Sequence, residues 1–151
     1  IKNMAVKLFR PNGPVHVEFY PKTASTDFSF EDPVALGTAG TLIPYTPGMA
    51  APFLGLIKKT IASTNSDYAS ATRVPVEVGN YDSEYLFTAS TTGAAATDVG
   101  EEVDYVEATM SVNVGSSSVD DVFVTQVISS TLVVGKFIRR AASQSLNTAF
   151  V

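Results

Sequence analysis

A chain of 151 residues is the size of one domain, and at that length folding buries roughly 68–70% of the surface of the unfolded chain, so a core forms without staples. Its 10 Lys and Arg stand against 15 Asp and Glu, a formal charge of −5 that opposes a phosphate-neutralising role, and it has no cysteine, which removes disulfides, thiolate metal sites and thiol nucleophiles together. Only 17% of residues are charged, against about 25% in an average domain, so Ser, Thr, Ala and Gly must cover the surface or an assembly must hide part of it.

No apolar run approaches the roughly 18–20 residues of a membrane span, and no basic segment followed by an apolar one opens the chain. A soluble protein with no membrane partner is expected. The first residue is Ile1 rather than Met, so the start of the gene product is expected to be missing or cleaved.

The pattern along the chain is of period two. In "NMAVKLF", Met4, Val6 and Leu8 alternate with Ala5 and Lys7; in "VHVEFY", Val15, Val17 and Phe19 alternate with His16 and Glu18. The turn signal "RPNGP" (10–14) between them predicts a hairpin or an extended arm. A loop rich in Ser, Thr and Asp follows, with Phe28 and Phe30 inside it.

Short strands are predicted at "VALG" and "TLIPY", and a longer one in "PFLGLIKKT" (52–60). "RVPVEV" and "SEYLFTA" are separated by "GNYD" (79–82), a good turn composition. Val74, Val76 and Val78 form the inward face of the first of these. Pro75 has no N–H for a ladder, so this strand is predicted at a sheet edge or a bulge.

"EVDYVEA" is the next strand, and "DVFVTQVI" (121–128) with "LVVGKFIRR" (132–140), separated by "SST", form the clearest pair. The adhesive edge is expected at the N-terminal runs or at "LVVGKFIRR". No window carries a helical apolar stripe; "TTGAAATDVGEE" can make at most a short helix. The fold class is all-β, a small barrel, β-tulip-like or sandwich domain of about eight to ten strands, with an extended N-terminal arm. The expected division is an arm or hairpin at 1–30, a barrel-like body at 31–140 and a tail at 141–151.

Candidate chemistry is sparse. His16 is the single histidine, no G-x-S-x-G elbow supplies a serine, and one histidine cannot make a zinc site. The carboxylate groups in "DFSFED" (27–32), "DVGEEVD" (98–104) and Asp120–Asp121 lack the calcium-loop spacing and read as solvated faces or loops. Glycines 37, 40, 48 and 55 fit no phosphate-binding motif. No catalytic residue, metal or cofactor is expected, and Tyr81, Tyr85 and Phe87 are read as packing groups ahead of a ligand platform.

The order of the segments nevertheless has a likeness. Asp67-Tyr68-Ala69 ahead of Val74-Pro75-Val76-Glu77-Val78, then Asp98-Val99-Gly100 with Val103-Asp104, then a last strand with Lys136 and Arg140 at a K-x-x-x-R spacing, resembles the decoration, or cement, proteins of tailed-bacteriophage capsids. The likeness covers roughly residues 34–140. It implies a β-barrel or β-tulip-like body, usually trimeric, on the outside of the shell at three-fold or quasi-three-fold positions, fastening neighbouring major capsid protein subunits.

The implied setting is thus the capsid exterior of a virion assembled in the host cytoplasm. The implied partners are the major capsid protein and further copies of the chain, with no enzymatic activity and no nucleic acid. Residues 1–30 have no counterpart in the likeness and are expected to lie over a neighbour. The expected contacts are Val6, Leu8, Phe9, Val17, Phe19, Phe28 and Phe30, with the basic strand end Lys136, Arg139 and Arg140. The alternative is a head-fibre, tail or glycan-binding adhesion module of a virion, with an aromatic groove around Tyr81, Tyr85 and Phe87.

Overall fold

The computed structural model describes residues 6–49, 51, 53–79, 82–90 and 93–138. Eleven strands appear among them: β1 (Lys7–Arg10), β2 (His16–Pro21), β3 (Pro33–Leu36), β4 (Leu42–Pro44), β5 (Phe53–Ile57), β6 (Arg73–Val78), β7 (Glu84–Ala89), β8 (Glu102–Val106), β9 (Ser111–Asn113), β10 (Val122–Ser129) and β11 (Leu132–Phe137). Among the described residues helix is confined to two single 3-10 turns, Ala96–Asp98 and Glu107–Thr109. None of the described helices is long and apolar enough to cross a membrane.

The strands make two sheets, as the all-β, barrel-containing reading expects. One runs β1-β7-β11-β10-β8-β9, and β9 returns to pair parallel with β7 through Thr88 opposite Ser111 and Ala89 opposite Val112. That return closes β7, β11, β10, β8 and β9 into a five-strand barrel. The other sheet is open, in the order β2-β6-β5-β3-β4.

Residues from both sheets meet in the larger core. The Phe137 ring of β11 lies stacked on Phe53 of β5, their centroids 3.9 Å apart, and Tyr45, Tyr85, Phe87 and Tyr105 surround it edge-on or tilted. Offset and edge-to-face ring pairs of this kind contribute about 0.5–1.5 kcal/mol each beyond the area they bury. A second cluster, with Phe28, Val34, Leu42, Ile57, Ile61, Val74 and Val76, lies on the other face of the open sheet.

The valine face of β6 is inward as expected, with Val74 and Val76 fully buried. The place of Pro75 differs from the expectation. β6 lies between β2 and β5, so it is not an edge strand, and Pro75 is tolerated because it stands one position past the last rung with β5, Ile57 opposite Val76. There the Lys58 N–H donates to the Pro75 carbonyl at 2.9 Å, and proline simply returns no donor.

Two other local expectations give way to long-range pairing. β6 and β7 flank a good turn composition, yet they lie in different sheets and do not pair with each other. β1 and β2 are likewise not a hairpin: β1 joins β7 of the barrel sheet and β2 joins β6 of the open sheet. From residue 7 onward the segment expected as an arm therefore supplies a strand to each sheet. Residues 1–5 and the tail at 141–151 lie outside the described residues.

The last strand is also not an edge. β11 lies between β10 and β7, so "LVVGKFIRR" offers no free ladder over Leu132–Gly135. The free edges of the open sheet are β2 and β4.

Candidate functional site

Eight large apolar side chains are exposed among the described residues: Phe9, Val15, Val17, Phe19, Phe30, Val99, Phe123 and Ile128. Five of these eight fall between residues 9 and 30, so among the described residues the exposed apolar surface is concentrated toward the N-terminal end. Val15, Val17 and Phe19 are 48%, 48% and 59% exposed.

The register explains why an alternating apolar run stays at the surface. His16, Glu18 and Tyr20 stand opposite Val78, Val76 and Val74 and so share the valine face, whereas Val17 and Phe19 stand opposite Glu77 and Pro75 and share the other. Tyr20 is the member of β2 that packs on the second core cluster. Its phenol is held above the usual range by burial and by the adjacent Glu18 carboxylate, which it meets at 3.3 Å.

On the face that Val17 and Phe19 share with Glu77, a chain of ion pairs flanks the two apolar side chains. Lys58 Nζ lies 3.9 Å from Glu77 and 3.6 Å from Glu31, which in turn lies 3.8 Å from Lys7. The same ammonium sits 4.6 Å above the ring of Phe30. Phe9 has the guanidinium of Arg10 over its ring at 5.3 Å, and Arg10 is bonded to Glu84 at 2.5 Å. Apolar side chains bordered by fixed charge are the usual make-up of a contact surface.

The expected contact residues divide accordingly. Phe9, Val17, Phe19 and Phe30 are exposed, with Val17 and Phe19 side by side on one face of β2. Val15 belongs with them; its place in the period-two run was the available signal. Val6 and Phe28, expected at a contact with a partner, are instead buried in the two core clusters, because they belong to the inward sides of their segments. Leu8 is half-buried against the larger core. Lys136 is half-buried on a central strand, and Arg139 and Arg140 lie outside the described residues.

Of the aromatic groove in the alternative reading, Tyr85 and Phe87 are core residues and Tyr81 is not among the described residues. Burial, with the charge of Glu77 adding to it, pushes the Tyr85 phenol far up. Those rings are packing groups.

The carboxylate clusters act mainly on the backbone. Asp98 accepts from the Ala95 N–H at 2.7 Å, Asp32 from the Ser29 N–H at 2.7 Å, and the fully buried Asp121 from the N–H groups of Gly48 and Tyr105 at 2.9 and 3.1 Å. Asp104 ties the loop before β10. Its Oδ2 accepts from Ser116 Oγ (2.5 Å), Ser118 Oγ (2.7 Å) and Ser118 N–H (3.2 Å), and its Oδ1 from the N–H groups of Val119 (2.8 Å) and Asp120 (3.0 Å).

A recess of about 280 Å³ is lined by Asp32, Tyr45, Tyr105 and Glu107 among others, and one of about 300 Å³ by Asp98, Glu101 and Glu102 with the 114–117 loop. The Asp32 carboxyl is raised by burial, which outweighs the Ser29 N–H, and the Glu107 charge adds to the rise. Among the described residues no three His, Cys, Asp or Glu side chains are grouped to hold a metal ion.

Neither a protein-family model, nor a curated protein, nor a solved structure matches this chain.

Proposed function

We propose that this chain is a structural virion protein, a capsid cement subunit that binds the outside of a tailed-phage shell and bridges neighbouring major capsid protein subunits, as a trimer at three-fold or quasi-three-fold positions. The observation that carries the reading is the concentration of exposed apolar side chains on Phe9, the β2 edge and Phe30, together with the order of sequence segments that resembles the cement proteins. A cement protein holds seams by many modest contacts, and an open strand edge with apolar neighbours supplies such contacts through both main chain and side chains.

The test is co-sedimentation with expanded shells of the phage that carries the gene, scored as copies bound per major capsid protein. A fixed stoichiometric ratio is expected, reduced by Val17→Ser with Phe19→Ser. A few copies per particle overturn the proposal in favour of a fibre or tail component, and binding of the isolated protein to glycans in place of shells overturns it in favour of an adhesin. Deleting residues 1–30 is the wrong variant, since it would remove two strands and the buried Val6, Lys22 and Phe28.

A further inference from the structure

β2 is the outer strand of its sheet, and its register fixes which backbone groups it leaves unused. His16, Glu18 and Tyr20 stand opposite Val78, Val76 and Val74, and in the same register the Lys22 N–H donates to the Thr72 carbonyl at 2.9 Å. In an antiparallel pair, hydrogen-bonded and non-hydrogen-bonded positions alternate, so the even residues of β2 direct their N–H and C=O groups to β6. Those of Val15, Val17 and Phe19 point out of the sheet. The Arg73 guanidinium covers one of them, donating to the Phe19 carbonyl at 2.9 Å.

We propose that β2 of a second copy of this chain occupies the edge, antiparallel and centred on Val17, joining the two open sheets across a two-fold axis. In that register Val17 faces its own copy, Val15 faces Phe19 and His16 faces Glu18. Every outward-directed residue meets another, closing about six backbone hydrogen bonds, with the Phe19 carbonyl shared with or released from Arg73. Val15, Val17 and Phe19 meet their equivalents on one face. On the other, each His16–Glu18 pair, 3.1 Å apart within a chain, meets the reversed pair of its neighbour, so an imidazole stands across from each carboxylate and no two carboxylates face one another.

The neighbouring registers are worse for stated reasons. Centring on Glu18 sets the two carboxylates against each other, which destabilises a strand pair. Centring on Phe19 places Val17 opposite Pro21, which has no donor. Centring on Val15 places Val17, and centring on His16 places Phe19, opposite Gly13, whose φ of +102° is outside strand geometry. Complementarity of the run VHVEF with its own reverse is what selects a second copy as the occupant. This pairing uses the edge that the capsid reading turns to the shell, so it is the state of the chain off the shell and is exchanged for shell contacts on binding; a three-fold contact elsewhere on the chain stays open, and the test needs no shell.

The experiment uses the isolated chain. Sedimentation equilibrium at about 100 µM is expected to give an even number of copies. Val17→Pro is expected to weaken self-association more than about 100-fold while leaving thermal melting of the single chain unchanged, because the N–H it removes points away from β6. As the chain contains no cysteine, Val17→Cys places two thiols opposite each other at a Cα separation of about 5.5 Å, within disulfide reach. Val17→Cys is expected to cross-link into dimers faster than Val15→Cys or Glu18→Cys. A wild-type chain with no even-numbered species at this concentration, an unchanged dimer in Val17→Pro, or preferential cross-linking through Glu18→Cys overturns the proposal.

Discussion

Replacing Asp104 with alanine orphans five donors at once. Asp104 is only 8% exposed, and its carboxylate holds two serine hydroxyls and three N–H groups of the 116–120 loop against β8. Bonds to a charged acceptor are worth about 1.5–3 kcal/mol each, but they are not additive, and water can replace those to the exposed Ser118. The half-buried Val119 and Asp120 N–H groups and the Ser116 hydroxyl then set the loss, about 3 kcal/mol in all. With a urea slope of about 2 kcal/mol per molar, the unfolding midpoint should fall by about 1.5 M.

The pH dependence gives a sharper version. Burial works to raise the Asp104 carboxyl, but the bonds from Ser116, Val119, Ser118 and Asp120 outweigh it and hold the group well below the usual carboxylate range. A lowered folded pKa means that the charged form stabilises the fold above the unfolded value of about 3.9, and that this contribution fades as pH falls below it. The difference between wild type and Asp104→Asn should therefore be full at pH 7 and shrink from about pH 4 downward. A midpoint shift for Asp104→Ala under about 0.3 M urea, or a difference from Asp104→Asn that is constant down to pH 2, would refute the assignment of this carboxylate as the loop's anchor.

Three further outcomes are expected. A Cβ at Gly55 would lie 2.2 Å from the Glu77 carbonyl oxygen, so Gly55→Ala should cost about 2 kcal/mol or more by forcing β5 and β6 apart. Gly40→Ala, with φ of +76° and nothing within 4 Å, should lose about 1 kcal/mol; the reverse order in thermal unfolding would show that the β5–β6 approach is misjudged. Lys22 is fully buried, and its Nζ donates to the carbonyls of Ser70, Tyr68 and Thr23 at 2.7, 3.0 and 3.2 Å, so Lys22→Met should cost about 2–4 kcal/mol in urea unfolding. A loss under about 1 kcal/mol there would mean that water reaches those carbonyls. Val17→Ser with Phe19→Ser should change single-chain stability by less than about 0.5 kcal/mol; a large loss would place these side chains in the core.

What was legible in the sequence is what depends on local pattern. The hairpin of β10 and β11 is marked by two alternating runs three residues apart, and the valines of β6 declare their inward face by period alone. Sheet membership was not legible, since a turn between β6 and β7 looks the same whether the strands pair or part. The apolar side of β2 illustrates a further limit. Alternation shows that Val15, Val17 and Phe19 share a face, but whether this chain covers that face depends on register with a strand more than 50 residues away, Val17 opposite Glu77 and Phe19 opposite Pro75. Asp104 read as one acid of a solvated cluster because its partners lie beyond any local motif, at 116–120.

The β7 edge opposite β11 is divided between two strands: β1 takes Glu84–Leu86 and β9 takes Thr88 and Ala89. Closure of the barrel at one end of β7 and attachment of the chain's beginning at the other are thus separate events on a single strand. The pairings of Leu8 with Tyr85 and of Pro21 with Arg73 close long loops, and such closures contribute late because entropy must be lost before contacts form. Pulse-labelled hydrogen exchange should find β10 and β11 protected first and β1 and β2 last. The segment that carries the exposed apolar side chains would then be the final one to lock, leaving that surface without its geometry until the rest of the chain is in place.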